Sequence, residues 1–197
     1  MSAVIAVDQG TTGSGLHVLQ ADGSFASGAT IDHKQFYPQP GWVEHDAEEL
    51  AGNVAALIST AKREHGASLK GIGIANQGET VIAWDARTKG PIHRAIVWQD
   101  ARTHARIEEL KAAGQEETTL ARAGLPLDPY FSAAKLRWIL DNVPEAESLR
   151  REKRLRFGTS DAFFLDRLAG TFATDVTTAS RTSLMNLETL QWDPVLA

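Results

Sequence analysis

Asp8, Gly10, Thr11, Thr12, Gly13 and Gly15 place a carboxylate, two hydroxyls and three small backbone positions within one short stretch. Glycines let a chain turn tightly and approach a ligand closely, and N–H groups exposed there favour anions. The threonine hydroxyls add donors for phosphate oxygens, and a carboxylate beside them suits a hydrated Mg²⁺. Two other phosphate loops do not fit. The Walker pattern needs a lysine after its last glycine, and none follows here. The dinucleotide pattern GxGxxG opens a helix; here the spacing is GxxGxG, and Leu16-His17-Val18-Leu19-Gln20 alternates like a strand. The glycines alone fit a ligand-free hairpin equally well. An apolar strand ending in Asp8 and running into Gly-Thr-Thr points to a phosphate instead.

The elements that must hold this bend follow from patterning. Two strands flank it, an Asp22-Gly23 turn comes next, and Phe25 to Ile31 forms a third strand. The stretch from Tyr37 to Asp46 is irregular and stiffened by two prolines. Asp46 and Glu49 have the spacing of a capping box. Leu50, Val54, Leu57, Ile58 and Ala61 then recur at helical spacing until Gly66. Three strands and a helix are the opening order of a ribonuclease-H-like half.

Further along, Lys70 to Ala75 reads as a buried strand, and Val81 to Trp84 and Ala95 to Trp98 as two arms of a hairpin. Helices are expected over Gln99 to Ala113 and Glu116 to Arg122, over Ala133 to Asn142 with Ser132 as cap, and from Ser160 as cap through Leu168. Arg150 to Arg156 reads as a solvated helix end and Leu155 to Gly158 as a short strand. Asp193-Pro194 reads as a helix start, so the chain is expected to be the N-terminal part of a longer protein. With no repeat and no low-complexity linker, one domain over residues 1–197 is expected.

Composition narrows the function classes. The 197 residues are 43% hydrophobic and 23% charged, an ordinary globular balance. A net charge of −5 argues against a nucleic-acid surface. With no cysteine there is no disulfide, thiolate metal site or thiol nucleophile. No apolar run approaches the roughly 20 residues of a membrane span, so a cytoplasmic protein is expected. The six histidines show no metal-ligand spacing.

The motif series as a whole resembles a known family. Asp8-Gln9-Gly10-Thr11-Thr12 is similar to the first phosphate loop of the actin, hexokinase and sugar-kinase superfold. The stretch Tyr37 to Asp46, Ala95-Ile96-Val97-Trp98-Gln99-Asp100-Ala101-Arg102-Thr103, Asp128-Pro129-Tyr130-Phe131-Ser132, Ala179-Ser180-Arg181-Thr182 and Trp192-Asp193 follow in the order of the FGGY carbohydrate kinases, best in their glycerol kinase branch. The resemblance implies an α/β, ribonuclease-H-like mixed sheet flanked by helices, in the N-terminal domain of a two-domain kinase using ATP and Mg²⁺. It further implies a small polyol or sugar as partner and a homo-oligomer for the full-length protein.

Residue by residue, the resemblance assigns Asp8 to Mg²⁺ and Thr11, Thr12 and Gly13 to the transferring phosphate. It assigns Glu79 to accepting substrate hydroxyls, Trp98 to the carbon skeleton and Tyr130 to donating its hydroxyl. An acceptor, a donor and an aromatic wall suit a small polyol. Read singly, Trp98 fits a core position, Glu79 a turn, Tyr130 a helix start and Asp8 an ordinary strand end. The general base is expected beyond residue 197, so this chain alone is expected to lack kinase turnover.

Two positions depart from the family pattern. Gly15 and Gly78 stand where glycerol kinases carry arginines facing the nucleotide phosphates and the substrate. A charge-assisted hydrogen bond contributes about 1.5–3 kcal/mol, so each loss corresponds to roughly ten- to a hundredfold in binding or rate. A tetritol or a xylulose-like ketose, or a non-catalytic sugar-binding module on the same fold, are the alternatives this leaves open.

Overall fold

Alternating burial builds the first sheet. The computed structural model describes residues 2–197. In it β1 (Ala3–Gln9) buries Ala3, Ile5, Val7 and Gln9 and exposes the residues between them. β2 (Gly13–Gln20) pairs antiparallel with β1 from Gln9↔Ser14 to Ala3↔Gln20, and β3 (Phe25–Asp32) pairs antiparallel beyond it. Two short strands follow, β4 (Gln35–Phe36) and β5 (Glu44–His45), before the long helix α1 (Ala47–His65). The chain then returns as β6 (Leu69–Ala75), parallel to β1, giving the order β3-β2-β1-β6.

α1 covers this sheet because its apolar stripe, Leu50, Val54, Leu57 and Ala61, packs on Ile5, Val7, Leu16 and Val18. Asp46 caps it, accepting from the Glu48 and Glu49 N–H groups at 2.9 and 3.3 Å. Only half of the capping box forms, since the Glu49 carboxylate accepts instead from the Lys34 N–H at 3.2 Å.

The second sheet begins with β7 (Val81–Asp85) and β8 (Ala95–Ile96). Helices α2 (His104–Ala112), α3 (Glu116–Ala123), α4 (Ser132–Asn142) and α5 (Pro144–Arg151) precede β9 (Leu155–Thr159). After these come α6 (Ser160–Ala169), α7 (Val176–Ser180) and the small hairpin β10 (Met185–Asn186) and β11 (Gln191–Trp192). The sheet order is β4-β5-β8-β7-β9. All of β7 is buried because helices cover both its faces: Val81 and Ala83 pack with Leu136 and Ile139 of α4, Ile82 and Trp84 with Phe163 and Phe164 of α6. The Trp84 indole donates to Asp166 at 2.7 Å, and Lys89 and Arg156 complete the carboxylate's partners at 2.7 and 2.6 Å. Burial opposes that charge, yet these donors hold its pKa at about 2. Among the described residues no helix is long and apolar enough to cross a membrane.

The α/β class with a mixed sheet and flanking helices agrees with the sequence reading, but several local expectations do not. β6 is largely exposed rather than buried, since it lies at the edge of its sheet. Gln99–Thr103 is not helical: the Asp100 carboxylate accepts from the Val43 N–H at 2.6 Å and the Arg102 N–H at 2.9 Å, so the chain turns and α2 starts only at His104. Neither serine caps its helix. Ser132 donates to the Glu79 carbonyl at 3.4 Å and Ser160 to the Gln77 carbonyl at 3.2 Å, leaving Phe131 and Thr159 at the N-caps. Asp193-Pro194 opens a turn in which Asp193 accepts from Asn186, Val195 and Arg122, not a helix.

Candidate active site

The bend after β1 is fixed through its carbonyl oxygens. Its own Gly10 N–H donates to Gly13 O at 2.9 Å. Gln9 Nε2 and Gln77 Nε2 donate to Gly10 O at 2.7 and 3.1 Å, His33 Nε2 to Thr11 O at 2.8 Å, and the His33 N–H to Thr12 O at 3.2 Å. A carbonyl can only accept, so Nε2 carries the His33 proton. Burial pushes the His33 pKa down, and burial with His33 as neighbour pushes that of His45 to about 4. Two neutral rings therefore sit under the bend, their centroids 4.6 Å apart.

With the carbonyls taken, the Thr11 and Thr12 N–H groups donate to no protein acceptor among the described residues. Thr12 is exposed and Thr11 half-buried. Such free amides beside hydroxyls fit a phosphate group. Gly13 is closely fitted: a Cβ there would stand 3.0 Å from Asp32 Oδ1 and 3.1 Å from Ile31 O, so a larger residue would press on both. Asp8 is exposed on β1, paired across to Gly15. Among the described residues no group of three or more histidine or acidic side chains could hold a metal. Asp8 thus fits Mg²⁺ only as one ligand beside water and phosphate oxygens.

The three residues assigned to the substrate are linked to the bend by a chain of contacts in which Arg181 joins Glu79 to Tyr130. The Trp98 indole donates to Thr11 Oγ1 at 3.1 Å, and its ring stands edge-on to Tyr130 at 5.5 Å. Tyr130 lies under the guanidinium of Arg181 at 5.8 Å, and Arg181 Nε donates to Glu79 Oε1 at 2.7 Å. The loop carrying Glu79 is fastened from three sides: Thr80 N–H to Gln77 O at 3.0 Å, Ser160 to Gln77 O, and Ser132 to Glu79 O. The Trp98 N–H donates to Thr80 Oγ1 at 3.2 Å and joins the second wall to the same loop.

Three contributors carried no signal that singled them out in the sequence. Arg181 lies inside a quoted motif but without a role. Gln77 reads as a turn residue. Lys135, a charged residue within α4, is fully buried. Its ammonium donates to the carbonyls of Pro129, Tyr130 and Phe131 at 2.7, 2.5 and 3.0 Å, matching three donors to three acceptors and fixing the backbone that presents Tyr130.

Burial pushes the Lys135 pKa down to about 7 against the opposing pull of Asp100, Glu79 and Asp128. The unfolded chain therefore binds more protons than the folded one between about pH 7 and 10.5, and this lysine's contribution makes stability rise with pH across that window. Urea unfolding of wild type and Lys135→Met over that range is expected to show the rise in wild type alone; parallel curves would contradict it.

A family model for the FGGY family of carbohydrate kinases, N-terminal domain, matches residues 3–197. A glycerol kinase of Paraburkholderia phytofirmans is 47% identical, covering 98% of this chain and 40% of its own length. Glycerol kinase 1 of Pseudomonas aeruginosa is 48% identical with the same coverage. Among solved structures, Plasmodium falciparum glycerol kinase with ADP superposes with a TM-score of 0.91 at 32% identity, over 100% of this chain and 40% of that one. Ligand-bound xylulose kinase from Lactobacillus acidophilus, at 22% identity, has the same fold with a TM-score of 0.88, over 100% of this chain and 39% of that one. The chain spans about 40% of the length of the curated relatives it matches.

Proposed function

Because this chain belongs to the FGGY family of carbohydrate kinases, we propose that it supplies the acceptor and phosphate side of an enzyme that phosphorylates a small polyol. The observation that carries this reading is the continuous path Thr11–Trp98–Tyr130–Arg181–Glu79, which joins the anion-binding bend to an acceptor carboxylate and an aromatic wall. Thr11 and Thr12 offer N–H and hydroxyl donors to the transferring phosphate, and Asp8 offers one oxygen to its Mg²⁺. Trp98 and Tyr130 lie along the carbon skeleton, while Glu79 accepts from its hydroxyls. ATP supplies the phosphoryl group: the acceptor oxygen bonds to phosphorus as the bond to the leaving ADP oxygen breaks. The hydroxyl proton passes to a carboxylate of the rest of the protein, since Asp8 has the metal role and Glu79 is bound to Arg181.

A specific observation favours an acceptor larger than glycerol. A Cβ at Gly78 would meet nothing within 4 Å, so space is open beside Glu79. Erythritol or xylulose fits this opening better than a three-carbon polyol whose terminal hydroxyl has lost a charged partner. Assays of the full-length protein on a panel of glycerol, erythritol and xylulose with ATP and Mg²⁺ are expected to give turnover on a larger member and none from residues 1–197 alone. No turnover on any of them would overturn the kinase reading, and glycerol clearly in front would overturn the larger acceptor. In the full-length protein a homo-oligomer is the accompanying expectation, read by light scattering.

A further inference from the structure

Arg181 is the guanidinium in contact with the side chains of the acceptor-side cluster, Glu79 and Tyr130, and nothing in the family resemblance gave it a task. Its backbone is held in place by the end of α7. Asp175 caps that helix, accepting from the Thr178 N–H at 2.9 Å; Arg181 N–H donates to Thr178 O at 3.0 Å; and Thr182 O accepts from the Ala133 N–H at 2.9 Å at the start of α4. The guanidinium lies 5.0 Å from the Phe131 ring and 5.8 Å from the Tyr130 ring, both within cation–π range. Only Nε is bonded to Glu79, and the side chain keeps 39% of its exposure. Beside Tyr130, the terminal nitrogens make no hydrogen bond to the protein among the described residues.

We propose that Arg181 is a specificity-determining substrate contact: it fixes Glu79 through Nε and donates through its terminal nitrogens to a second hydroxyl of the polyol, the donor that position 78 does not supply here. The proposal rests on the acceptor-site reading given above. Chemically the arrangement is a paired acceptor and donor, which recognises two neighbouring hydroxyls and rejects an analogue lacking either. A buried carboxylate left without its cation would itself bind hydroxyls poorly, because its orientation would be lost.

The test uses the full-length protein, with erythritol and a butanetriol lacking one of its internal hydroxyls as paired probes. Wild type is expected to prefer erythritol. Arg181→Met is expected to raise KM for erythritol roughly ten- to a hundredfold, with a smaller change in kcat, and to erase most of the preference over the butanetriol. Arg181→Lys should recover part of the binding but little of the discrimination, since an ammonium lacks the fork. Wild-type activity with an unchanged KM and an unchanged preference in Arg181→Met, even with a lowered melting temperature, would overturn the contact and leave the kinase reading standing. No wild-type turnover on erythritol, with turnover on glycerol, would overturn the contact as stated and leave the kinase reading standing; no turnover on any polyol would remove both.

Discussion

Alanine at position 79 is expected to lower kcat/KM of the full-length enzyme toward its polyol by about a hundredfold or more. Glu79 is 7% exposed, and among the described residues its carboxylate is the only acidic group bonded to Arg181. Truncation removes the acceptor for the substrate and leaves a guanidinium unpaired beside the same hydroxyls. Each charge-assisted bond is worth about 1.5–3 kcal/mol, so two lost together give at least this fall. Glu79→Gln keeps the shape, the Ser132 link to the backbone and one acceptor oxygen, and should fall less. Steady-state kinetics with a parallel melting curve read the difference. An alanine variant within a few-fold of wild type would mean that the polyol lies elsewhere.

Arginine at position 78 is expected to act in the opposite direction for glycerol. Gly78 is not among the glycines at positive φ, and its Cβ direction is open, so the side chain can be added without backbone strain. A guanidinium there restores a charged donor to a terminal hydroxyl, which raises kcat/KM for glycerol by roughly ten- to a hundredfold. The same side chain fills the room a longer acceptor would use, so activity on erythritol should fall. The ratio of the two specificity constants, measured in Gly78→Arg and wild type, reads both changes together. A ratio that does not move would show that the opening beside Glu79 does not select substrate length.

The parts legible in the sequence were those whose cause is local. Strand alternation around the bend, the turn at Gly23 and the stripe of α1 each follow from a period or a backbone requirement, and all three are present. Glu79, Trp98 and Tyr130 came from motif order; of the three, Trp98 bonds to Thr11, and Arg181 joins Glu79 to Tyr130. What stayed hidden depends on distant partners. Ser132 and Ser160 have the look of helix caps, but the Glu79 and Gln77 carbonyls lie within their reach and take the hydroxyls. Asp100 ends a helical pattern early because the Val43 N–H, far away in sequence, needs an acceptor. Lys135 sits on the buried stripe of α4 with Leu136 and Ile139, where a lysine is unusual, and the carbonyls of the preceding turn are what satisfy its ammonium there. The exposure of β6 reflects its place at a sheet edge, which its own small apolar residues do not encode.

The hydrogen bond from the Trp98 indole to Thr11 Oγ1 ties the aromatic wall directly to the glycine–threonine bend. On the proposed assignment of Thr11 to the phosphate, a ring displaced to admit a bulkier sugar would lose or shift this bond at the threonine. Altered acceptor preference and altered nucleotide affinity should therefore be inherited together, so laboratory selection for a new sugar will need compensating changes around Thr11 before full turnover returns.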